Sequence, residues 1–384
     1  MRICLVGPAH PYRGGISHFT AMLAREMRAG HDVLIVNFSR LYPAFLFPGR
    51  TQFDESATGL AVESRRLIDS IDPRSWRRAA DAVRAFAPDV VVFQWWQPFF
   101  APAFRAMCRR IRRGSRARIV FLCHNVLPHE SSPLDRALVK WALAGADAFV
   151  VQSREDGSIL ASLRPGARVE FNPMPVFDLF TPAGGGPDRE EARARLGVSG
   201  RVILFFGLVR AYKGLSTLLE AFAAARDRLD ATLLVVGEFY EDRRTYDEAI
   251  RTLGIGGCVR VIDRYVPNED VALYFRAADV VVLPYVSATQ SAIVQTAFSF
   301  ERPVIVTAVG GLPDVVADGV TGYVVPPQSP PALAAAMLRF FAEGAGARMA
   351  AAIRARAGDF AWSRCVDAVL RAAGGEAGKP VRKS

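Results

Sequence analysis

The sequence lacks paired cysteines and long apolar runs. Its five cysteines are an odd number, and no two of them form a C-x-x-C pair. Scattered thiols of this kind indicate reduced cysteines in a cytosolic protein, without a disulfide framework or a zinc site. No stretch of about 18 uncharged apolar residues occurs, so we expect no membrane span. The first apolar run reaches Gly7 too early for a secretion signal.

Several motifs with a defined chemistry are also absent. The chain contains no Walker A loop, nucleophile elbow, Ser-His-Asp order or zinc motif, and no glycines spaced as G-x-G-x-x-G. Arginine and apolar residues are abundant: 51% of the 384 residues are hydrophobic, and the net charge is +10. The length fits two domains. The charge favours an anionic partner such as a nucleotide, a nucleic acid or a membrane surface, or it reflects an arginine-rich solvated surface.

Short β-branched runs alternate with longer amphipathic segments along the chain. We predict strands at Arg2–Val6, Asp32–Asn37, Asp89–Phe93, Arg118–Cys123, Ala148–Val151, Val169–Phe171, Val202–Phe206, Thr232–Val236, Val259–Ile262, Val280–Leu283 and Val304–Val306. Continuous apolar strands separated by helical segments indicate βαβ units and parallel sheets buried on both faces. The fold class that follows is α/β with two doubly wound units.

The alternation pauses at a Gly/Pro-rich stretch, Asp178–Ser199, which we interpret as a linker. We therefore predict an N-terminal domain over residues 1–178 and a C-terminal domain over residues 179–358. Residues 359–384 begin with an amphipathic helix, which needs a partner surface, and end in a polar tail that we expect to be disordered.

Two strand-to-helix turns in the second half carry the chemistry of an anion site. In the first, Gly207 ends a strand, and Arg210 and Lys213 precede a helix. Fixed cations beside a helix N-terminus suit a diphosphate, although both could be solvated surface charges. In the second, small and hydroxyl residues lead to Ser291 and Ala292 at a helix start. Free N–H groups there would contact phosphate or sugar, and the alternative is a capped helix without a ligand.

The first half of the chain also has loops that follow strands and carry candidate ligand-binding residues. Gly14 and Gly15 open a helix beyond the first strand, where open α/β sheets bind ligands; the alternative is a plain glycine turn. His124 and His129 follow another strand in one loop. We favour substrate contact for them, because their spacing lacks the helical geometry of a metal site.

Aromatic and basic residues of the first half leave two interpretations open. Trp95 and Trp96 follow a strand and would either stack on a sugar or fill the core. Arginines between Arg105 and Arg118, together with the apolar loop Leu41–Pro48, suggest either a peripheral membrane patch or a solvated helix face. Nucleic acid is not expected, because no recognition motif accompanies the charge.

Taken in order, four segments resemble the glycosyltransferases of family 4, which have the GT-B fold of two Rossmann-like domains facing across a cleft. The likeness covers nearly the whole chain. It rests on GPAHPYRGGISHFT, HNVLPHE, FFGLVRAYKGLSTLLEAF and AADVVVLPYVSATQSAIVQTAFSFERPVIVTAVGGLPDVV.

The resemblance implies retaining, metal-independent transfer from a UDP- or GDP-linked sugar to a lipid-linked or polysaccharide acceptor, with no further cofactor. The second domain would hold the donor and the first the acceptor, with the final helix crossing back to the first. The protein would be cytoplasmic, at the inner face of the membrane. The residues implied are His124, Arg210 and Lys213 for catalysis; Gly14, Gly15, Gly207, Gln290, Ser291, Ala292 and Thr296 for the donor; and Trp95, Trp96 and His129 for the acceptor.

The sequence departs from the family at two motif glutamates, which usually have seven residues between them. Ala288 and Thr296 occupy those places, with Gln290 and Gln295 as nearby polar groups, so the chain resembles a subgroup with a degenerate motif. Leu208 also replaces an arginine that usually follows the glycine. The alternative function is a non-catalytic subunit of the same fold that binds a nucleotide sugar or a partner. A sugar epimerase or a phosphorylase is a second enzymatic alternative.

Overall fold

The computed structural model describes residues 1–47, 51–56, 61–128, 132–181 and 186–374. These residues form two compact units. The first contains those up to Asp54, those from residue 61 to Met174, and those from Ala361 to residue 374. The second contains residues 55–56 and Pro175–Phe360. His129 and the polar tail from residue 375 onward lie outside the described residues.

The first unit is built on seven parallel strands, each followed by a connection to the next. The strands are β1 (Arg2–Val6), β2 (Asp32–Arg40), β3 (Arg65–Asp69), β4 (Val90–Trp95), β5 (Arg118–Cys123), β6 (Ala148–Val151) and β7 (Arg168–Phe171). The first five helices are α1 (Gly15–Met27), α2 (Pro73–Phe86), α3 (Ala101–Arg112), α4 (Pro133–Leu143) and α5 (Arg154–Leu163). The strand order is β3-β2-β1-β4-β5-β6-β7.

The second unit repeats this plan with six parallel strands. They are β8 (Arg201–Phe206), β9 (Ala231–Val236), β10 (Val259–Ile262), β11 (Val280–Leu283), β12 (Val304–Thr307) and β13 (Gly322–Val325), in the order β10-β9-β8-β11-β12-β13. The helices are α6 (Arg189–Leu196), α7 (Leu215–Leu229), α8 (Arg243–Thr252), α9 (Asn268–Ala277), α10 (Ala292–Ser299), α11 (Leu312–Val315), α12 (Pro330–Ala342) and α13 (Gly346–Ala355).

Both sheets reverse their winding direction once, and this reversal places the ligand-binding edge. The reversal falls between β1 and β4 in the first sheet and between β8 and β11 in the second. The central strands β4 and β11 are buried at every position, as parallel strands covered by helices on both faces should be. Ligands of open α/β sheets bind outside the carboxyl ends of the strands at such a reversal. The predicted class, α/β with two Rossmann-like doubly wound domains, is confirmed.

The stretch predicted as a linker contains helix α6. Asp188 caps its first turn by accepting from the Glu191 N–H, and Gly197 ends it in a left-handed conformation. Its buried contact is small, because Ala192 packs against Leu273 and Ala277 of α9. A helix with so few buried apolar residues shows little apolar period, so the linker prediction was wrong for residues 189–196.

The last described helix, α14 (Trp362–Ala372), belongs to the first unit. It packs against α1, β6 and β7. The Trp362 ring meets the Phe19 ring edge-on at 4.9 Å between centroids, and Arg371 Nε donates to Glu170 at 3.2 Å. The apolar face seen in the sequence is therefore covered by the first unit.

All five cysteines are unbonded thiols. None of the described helices combines the length and the apolar character needed to cross a bilayer.

We predict that Asp279→Ala destabilises the second unit. The Asp279 carboxylate accepts from the Val202 N–H at 2.7 Å and from Arg193 at 2.8 Å, and it also pairs with Arg189. Removing it takes an acceptor from the Val202 N–H and from two guanidiniums, which should lower the free energy of unfolding by about 2 kcal/mol. Denaturant melts of the full chain measure this. Asp227→Ala, which removes an exposed ion pair with Arg226, is the control and should change the melt little.

Candidate active site

Close backbone contacts fasten the loops at the carboxyl ends of the second sheet. Gly214 has φ of +69°, and a Cβ there would lie 2.0 Å from the Pro284 carbonyl oxygen. Likewise, a Cβ on Gly237, where φ is +152°, would lie 1.9 Å from the Gly207 carbonyl oxygen. Only glycine fits such positions. The Val286 N–H also donates to the Tyr212 carbonyl at 2.7 Å, so the loops after β8 and β11 are joined directly.

Lys213 is held against two tyrosine rings in this joined region. Its Nζ lies 3.8 Å from the Tyr285 ring centroid and 5.2 Å from that of Tyr212, distances typical of cation–π contacts. Burial is the main cause that lowers the pKa of Lys213; Tyr212 partly offsets it, and Arg210 adds to it. The ammonium therefore has a fixed place beside the helix start, and in this desolvated position it would interact strongly with an anion.

Arg210 lies three residues before Lys213 on the same turn. Its guanidinium carbon lies 4.8 Å above the Tyr240 ring. The next residue, Ala211, donates its N–H to the Glu241 carboxylate, which also accepts from the Tyr246 hydroxyl at 2.8 Å. Glu241 thus ties the turn that carries both cations to helix α8.

The start of α10 is the second part of this site. Ser291 precedes the helix without a side-chain hydrogen bond to it, so the N–H groups from Ala292 onward lack a side-chain cap. The Ser291 hydroxyl lies 3.2 Å from the hydroxyl of Tyr285, which is fully buried. Tyr285 thus touches both Lys213 and the residue before α10. The side chain of Tyr285 therefore connects Lys213 in one loop with the N-terminus of α10.

Ala288 and Thr296, where the resemblance places the family's motif glutamates, are both buried. The Ala288 carbonyl lies 1.7 Å from where a Cβ on Gly310 would be, and Thr289 accepts from the Gly311 N–H at 2.8 Å. Thr296 is buried, and its hydroxyl donates to the Ala292 carbonyl one helical turn back at 2.9 Å. Neither position supplies a carboxylate, and the donation from Thr296 stays within its own helix. Gln290 lies half-buried just before α10.

In the first unit, the loop after β1 is shaped by a buried asparagine. Asn37, at the end region of β2, accepts from the Ala9 N–H at 3.0 Å and donates to the Ala9 carbonyl at 3.1 Å. The loop then reaches Gly14, whose φ of +106° suits glycine, and α1 begins at Gly15 without a side-chain cap. The two glycines therefore lie at the reversal point of the first sheet, as a ligand loop would.

His124 is buried in a network of neutral side chains. Its Nε2 lies 2.7 Å from Gln94 Oε1, and an amide oxygen only accepts, so the ring donates from Nε2. Burial lowers the pKa of His124 to about 3, and a hydrogen bond with Gln152 opposes the shift. The Phe19 ring meets the imidazole edge-on at 4.7 Å. His124 is therefore a neutral hydrogen-bonding group at neutral pH. Its catalytic role stays a prediction.

The two tryptophans adopt core positions. Trp95 is fully buried, and its indole N–H donates to the Val126 carbonyl at 3.2 Å. Trp96 is 9% exposed, its ring packs at a tilt against Phe100 with 4.3 Å between centroids, and its indole N–H donates to the Tyr42 hydroxyl at 3.0 Å. Rings enclosed in this way have no face to offer an acceptor, so the stacking interpretation fails for this conformation. His129, the third predicted acceptor residue, lies outside the described residues.

The predicted membrane patch separates into its two components. Arginines Arg109–Arg113 end α3 toward the amino end of β5, whereas the apolar turn Ala44–Leu46 follows the carboxyl end of β2. The two groups therefore lie at opposite ends of the strands, so they cannot form a single patch. Part of the charge is also neutralised at the surface, since Arg110 pairs with Asp81 at 2.7 Å.

The sequence did not predict the residues that fix the loops of the site, as opposed to those that would contact a ligand. Tyr285, Glu241, Asn37 and Gln94 each fix a loop that carries a predicted residue. Position offered the only signal: Tyr285 lies two residues after a buried strand, and Asn37 and Gln94 lie near the carboxyl ends of their strands. A close approach adds to this for Gln94, since a Cβ on Gly7 would lie 2.5 Å from its Cγ.

We predict that Asp156→Asn weakens the pH dependence of stability. Asp156 is buried at the start of α5 and accepts from the Val126 N–H at 2.9 Å, which fixes the His124 loop. Burial raises the pKa of Asp156 to about 7, whereas an unfolded aspartate titrates near 4. The folded chain binds more protons between these values. Its free energy of unfolding therefore falls as the pH rises through this window, by at most about 1.4 kcal/mol per pH unit.

Thermal melts at pH 5 and pH 7 and constant ionic strength measure this effect. The asparagine keeps an acceptor for Val126 but cannot titrate, so its melting temperature should change less between the two pH values than that of the wild type. Glu155→Gln, at the exposed neighbouring position, should keep the wild-type trend. Equal pH dependence in wild type and Asp156→Asn would rule out the assigned titration.

Two family models match the two halves of the chain. The model described as "Glycosyl transferase 4-like domain" matches residues 14–175, and the one described as "Glycosyl transferases group 1" matches residues 200–343. Among curated relatives, the D-inositol 3-phosphate glycosyltransferase of Geodermatophilus obscurus is 33% identical over 60% of this chain and 53% of its own length. D-inositol 3-phosphate glycosyltransferase 1 of Catenulispora acidiphila is 34% identical over 64% and 62%. The chain thus spans about half the length of the curated relatives it matches.

Solved structures share the fold at low identity. Sucrose-phosphate synthase from Thermosynechococcus elongatus superimposes with a TM-score of 0.73 at 20% identity, over 97% of both chains. Anabaena Alr3699/HepE in complex with UDP gives 0.73 at 18% identity, over 97% of this chain and 99% of that one. These likenesses support the GT-B fold predicted from the sequence. The chain therefore belongs to the glycosyltransferases, with a first unit of the glycosyl transferase 4-like type and a second unit of the group 1 type.

Proposed function

We propose that the chain transfers a sugar from a nucleoside diphosphate sugar, UDP- or GDP-linked, to a lipid-linked or polysaccharide acceptor with retention of configuration. One observation carries the proposal: Arg210, Lys213 and the uncapped start of α10 are joined at the reversal point of the second sheet. The relatives named as D-inositol 3-phosphate glycosyltransferases support glycosyl transfer, and the neighbour bound to UDP supports a donor of this class.

The chemistry follows from where negative charge develops. When the bond between the sugar and the diphosphate breaks, the leaving group gains charge, and fixed positive groups stabilise it most if they need no rearrangement. Lys213 is held by Tyr285, Arg210 is stacked on Tyr240, and the α10 N–H groups point from a fixed helix. Side chains and backbone thus supply the positive charge in this proposal, which is why we propose metal-independent transfer.

In the first unit, Gly14 and Gly15 would approach the phosphates through backbone N–H groups. We propose that the His124 loop orients the acceptor or the transferring sugar, with the imidazole acting as a neutral hydrogen-bonding group. A ring whose pKa lies near 3 would not act as the acid of the reaction at neutral pH.

A second candidate function is supported by the two motif positions. The Ala288 carbonyl packs against Gly310, and the Thr296 hydroxyl donates within its own helix. Neither residue supplies the carboxylate that, by the resemblance, family members direct at the donor. A chain that binds the nucleotide but does not turn over would fit this arrangement. It would be a non-catalytic subunit of the same fold.

Titration with UDP, GDP and ADP, followed by melting temperature, tests the donor site. A ligand at one hundred times its dissociation constant stabilises a fold by about 2.7 kcal/mol, which is easily visible. We expect a shift with one nucleotide. Lys213→Ala should weaken that nucleotide about tenfold or more, because a charge-assisted contact contributes roughly 1.5–3 kcal/mol.

Lys140→Ala is the matched control, since it removes an exposed lysine of the first unit, and it should bind the nucleotide as the wild type does. Circular dichroism of both variants checks the fold. If no nucleotide shifts the melt, or if Lys213→Ala binds normally, the assigned donor site is wrong.

Incubation of the purified chain with the sugar form of the bound nucleotide separates the two candidate functions. Release of free nucleoside diphosphate, lost in Lys213→Ala, supports the enzyme, and proton NMR of the product reports whether configuration is retained. Binding without release, across lipid-linked and saccharide acceptors, favours the non-catalytic subunit.

A further inference from the structure

Four arginines lie at the amino ends of the second sheet, opposite the edge that carries the candidate donor site. Asp279 directly precedes β11, and its carboxylate accepts from the Val202 N–H near the start of β8, the neighbouring strand. Helix α9 ends just before Asp279, and α6 packs against α9. The arginine cluster consists of Arg189 and Arg193 on α6, Arg276 on α9, and Arg302 two residues before β12. It contains no residue that we assign to the donor.

Within the described part of the chain, one carboxylate pairs with this cluster. Asp279 accepts from Arg193 at 2.8 Å and also pairs with Arg189. The next acidic residue along the chain, Glu301, is held by two nitrogens of Arg354, one of them at 2.7 Å. Guanidinium groups stay protonated in proteins, so four positive charges share a single carboxylate.

The acidic residues at the start of α6 do not change this balance. Asp188 caps the helix by accepting from the Glu191 N–H at 2.8 Å, and the Glu191 carboxylate lies 3.9 Å from Arg195. Glu190 is exposed and forms no ion pair with any residue that the structure describes. The arginine cluster is therefore not neutralised by its own helix.

The end of α9 accounts for part of the charge. Arg193 Nε donates to the Ala277 carbonyl at 3.0 Å, and Arg302 Nε donates to the Phe275 carbonyl at 2.9 Å. The last carbonyls of a helix act as about half a negative charge and attract cations. Together with Asp279, they offset fewer than two of the four positive charges.

Arg276 is the member of the cluster that neither partner satisfies. Its side chain is half-buried, and its guanidinium carbon lies 6.0 Å from the centre of the Phe300 ring. Its Nε is buried and has no hydrogen-bond partner among the described residues, and its guanidinium forms no ion pair with them. A buried donor without an acceptor costs free energy, so this nitrogen indicates an acceptor from outside the chain.

The arginines also act on one another. Burial lowers the pKa of Arg302 to about 10, together with the charges of Arg189 and Arg276, and Glu301 opposes the shift. The pKa of Arg193 is lowered by burial and then by Arg189. Cations with this effect on each other lie close together and are partly shielded from water. An anion placed among them would therefore interact strongly with all of them.

We propose that the arginine cluster binds phosphate, either as the free ion or as the phosphate group of a small phosphorylated molecule. A phosphate group carries a charge of about −1.5 to −2 at pH 7 and three strong acceptor oxygens. Guanidinium groups recognise such oxygens through paired N–H donors. This charge nearly balances what Asp279 and the end of α9 leave, whereas a carboxylate brings one charge and two oxygens.

The inference goes beyond the proposed function, because phosphate binding at this edge needs neither the donor loops nor transfer. Thermal melts and calorimetric titration of the full chain test it, with inorganic phosphate and with glycerol phosphate as a monoester. Sodium chloride at equal ionic strength is the reference, since salt alone screens the repulsion. We expect a rise in melting temperature with phosphate beyond that with chloride. The tighter of the two ligands tells whether the site takes the free ion or an ester.

Arg276→Gln should raise the phosphate dissociation constant about tenfold, because one charge-assisted contact is lost. The variant should fold, since this side chain makes no hydrogen bond within the described chain, and circular dichroism checks it. Arg189→Gln, at the exposed rim of the cluster, is a second variant and should also weaken binding. Arg251→Gln is the matched control, because it removes an exposed arginine of α8 that pairs with Glu248 at 3.4 Å. It should bind phosphate as the wild type does.

The donor site also attracts anions in our proposal, so Lys213→Ala is titrated in parallel and should keep the phosphate effect. Equal melting temperatures in phosphate and chloride would overturn the inference. So would normal phosphate binding by Arg276→Gln and Arg189→Gln, or a phosphate effect that only Lys213→Ala removes. If phosphate binding depends on Arg276 but no nucleotide shifts the melt, the inference stands and only the proposed function fails.

Discussion

Backbone contact without a Cβ is the constraint on which the second unit's site depends. Carbonyl oxygens of Gly207, Pro284 and Ala288 lie within about 2 Å of where Gly237, Gly214 and Gly310 would carry a side chain. Such approaches join the loops after β8, β9, β11 and β12 into one body. Only because the loops touch can Lys213, from one of them, rest on the ring of Tyr285, from another. The close backbone contacts thus determine where Lys213 is held. Cations held in place stabilise an anion without first having to be ordered.

The sequence predicted the interior strands of both sheets and one edge strand of each, β7 and β10, but it missed the other edge strand. Eleven strand predictions match observed strands to within a few residues, and the two strands that were missed, β3 and β13, are both edge strands. β3 reads RRLID and is largely exposed, so it shows no continuous apolar run. β13 begins with Gly322, whose missing Cβ would lie 2.0 Å from the Val304 carbonyl oxygen; in sequence it resembles a turn. Helix α6 was not predicted for the same reason as β3. It shows no continuous apolar pattern, because Ala192 is its one buried residue.

The same distinction applies to the site. The sequence predicts where its loops lie, whereas packing decides which way their side chains face. Parallel strands carry their loops at one edge, so the alternation alone placed Gly14, Gly207 and Ser291 at ligand-binding ends. Whether a side chain in such a loop faces solvent depends on neighbours that are distant in sequence. Trp95 lies in the core, where its indole N–H donates a hydrogen bond to the Val126 carbonyl. His124 is a neutral donor, because it is buried and its Nε2 meets Gln94 of another strand. Neither outcome has a local sequence signal.

Ala288 and Thr296, where the resemblance places two glutamates, add no negative charge near the second unit's cations. A further carboxylate near Arg210 and Lys213, beyond that of Glu241, would weaken their field. With the donor bound as we propose, the site would hold a diphosphate more firmly than it would orient sugar hydroxyls, because α10 and the loop before it carry no carboxylate. Amide and backbone groups around Gln290 would have to take that part. They are neutral, so they would select the sugar by shape and by direction of hydrogen bonds rather than by charge. Donor specificity would then depend on how firmly Gly310 and Thr289 hold this segment.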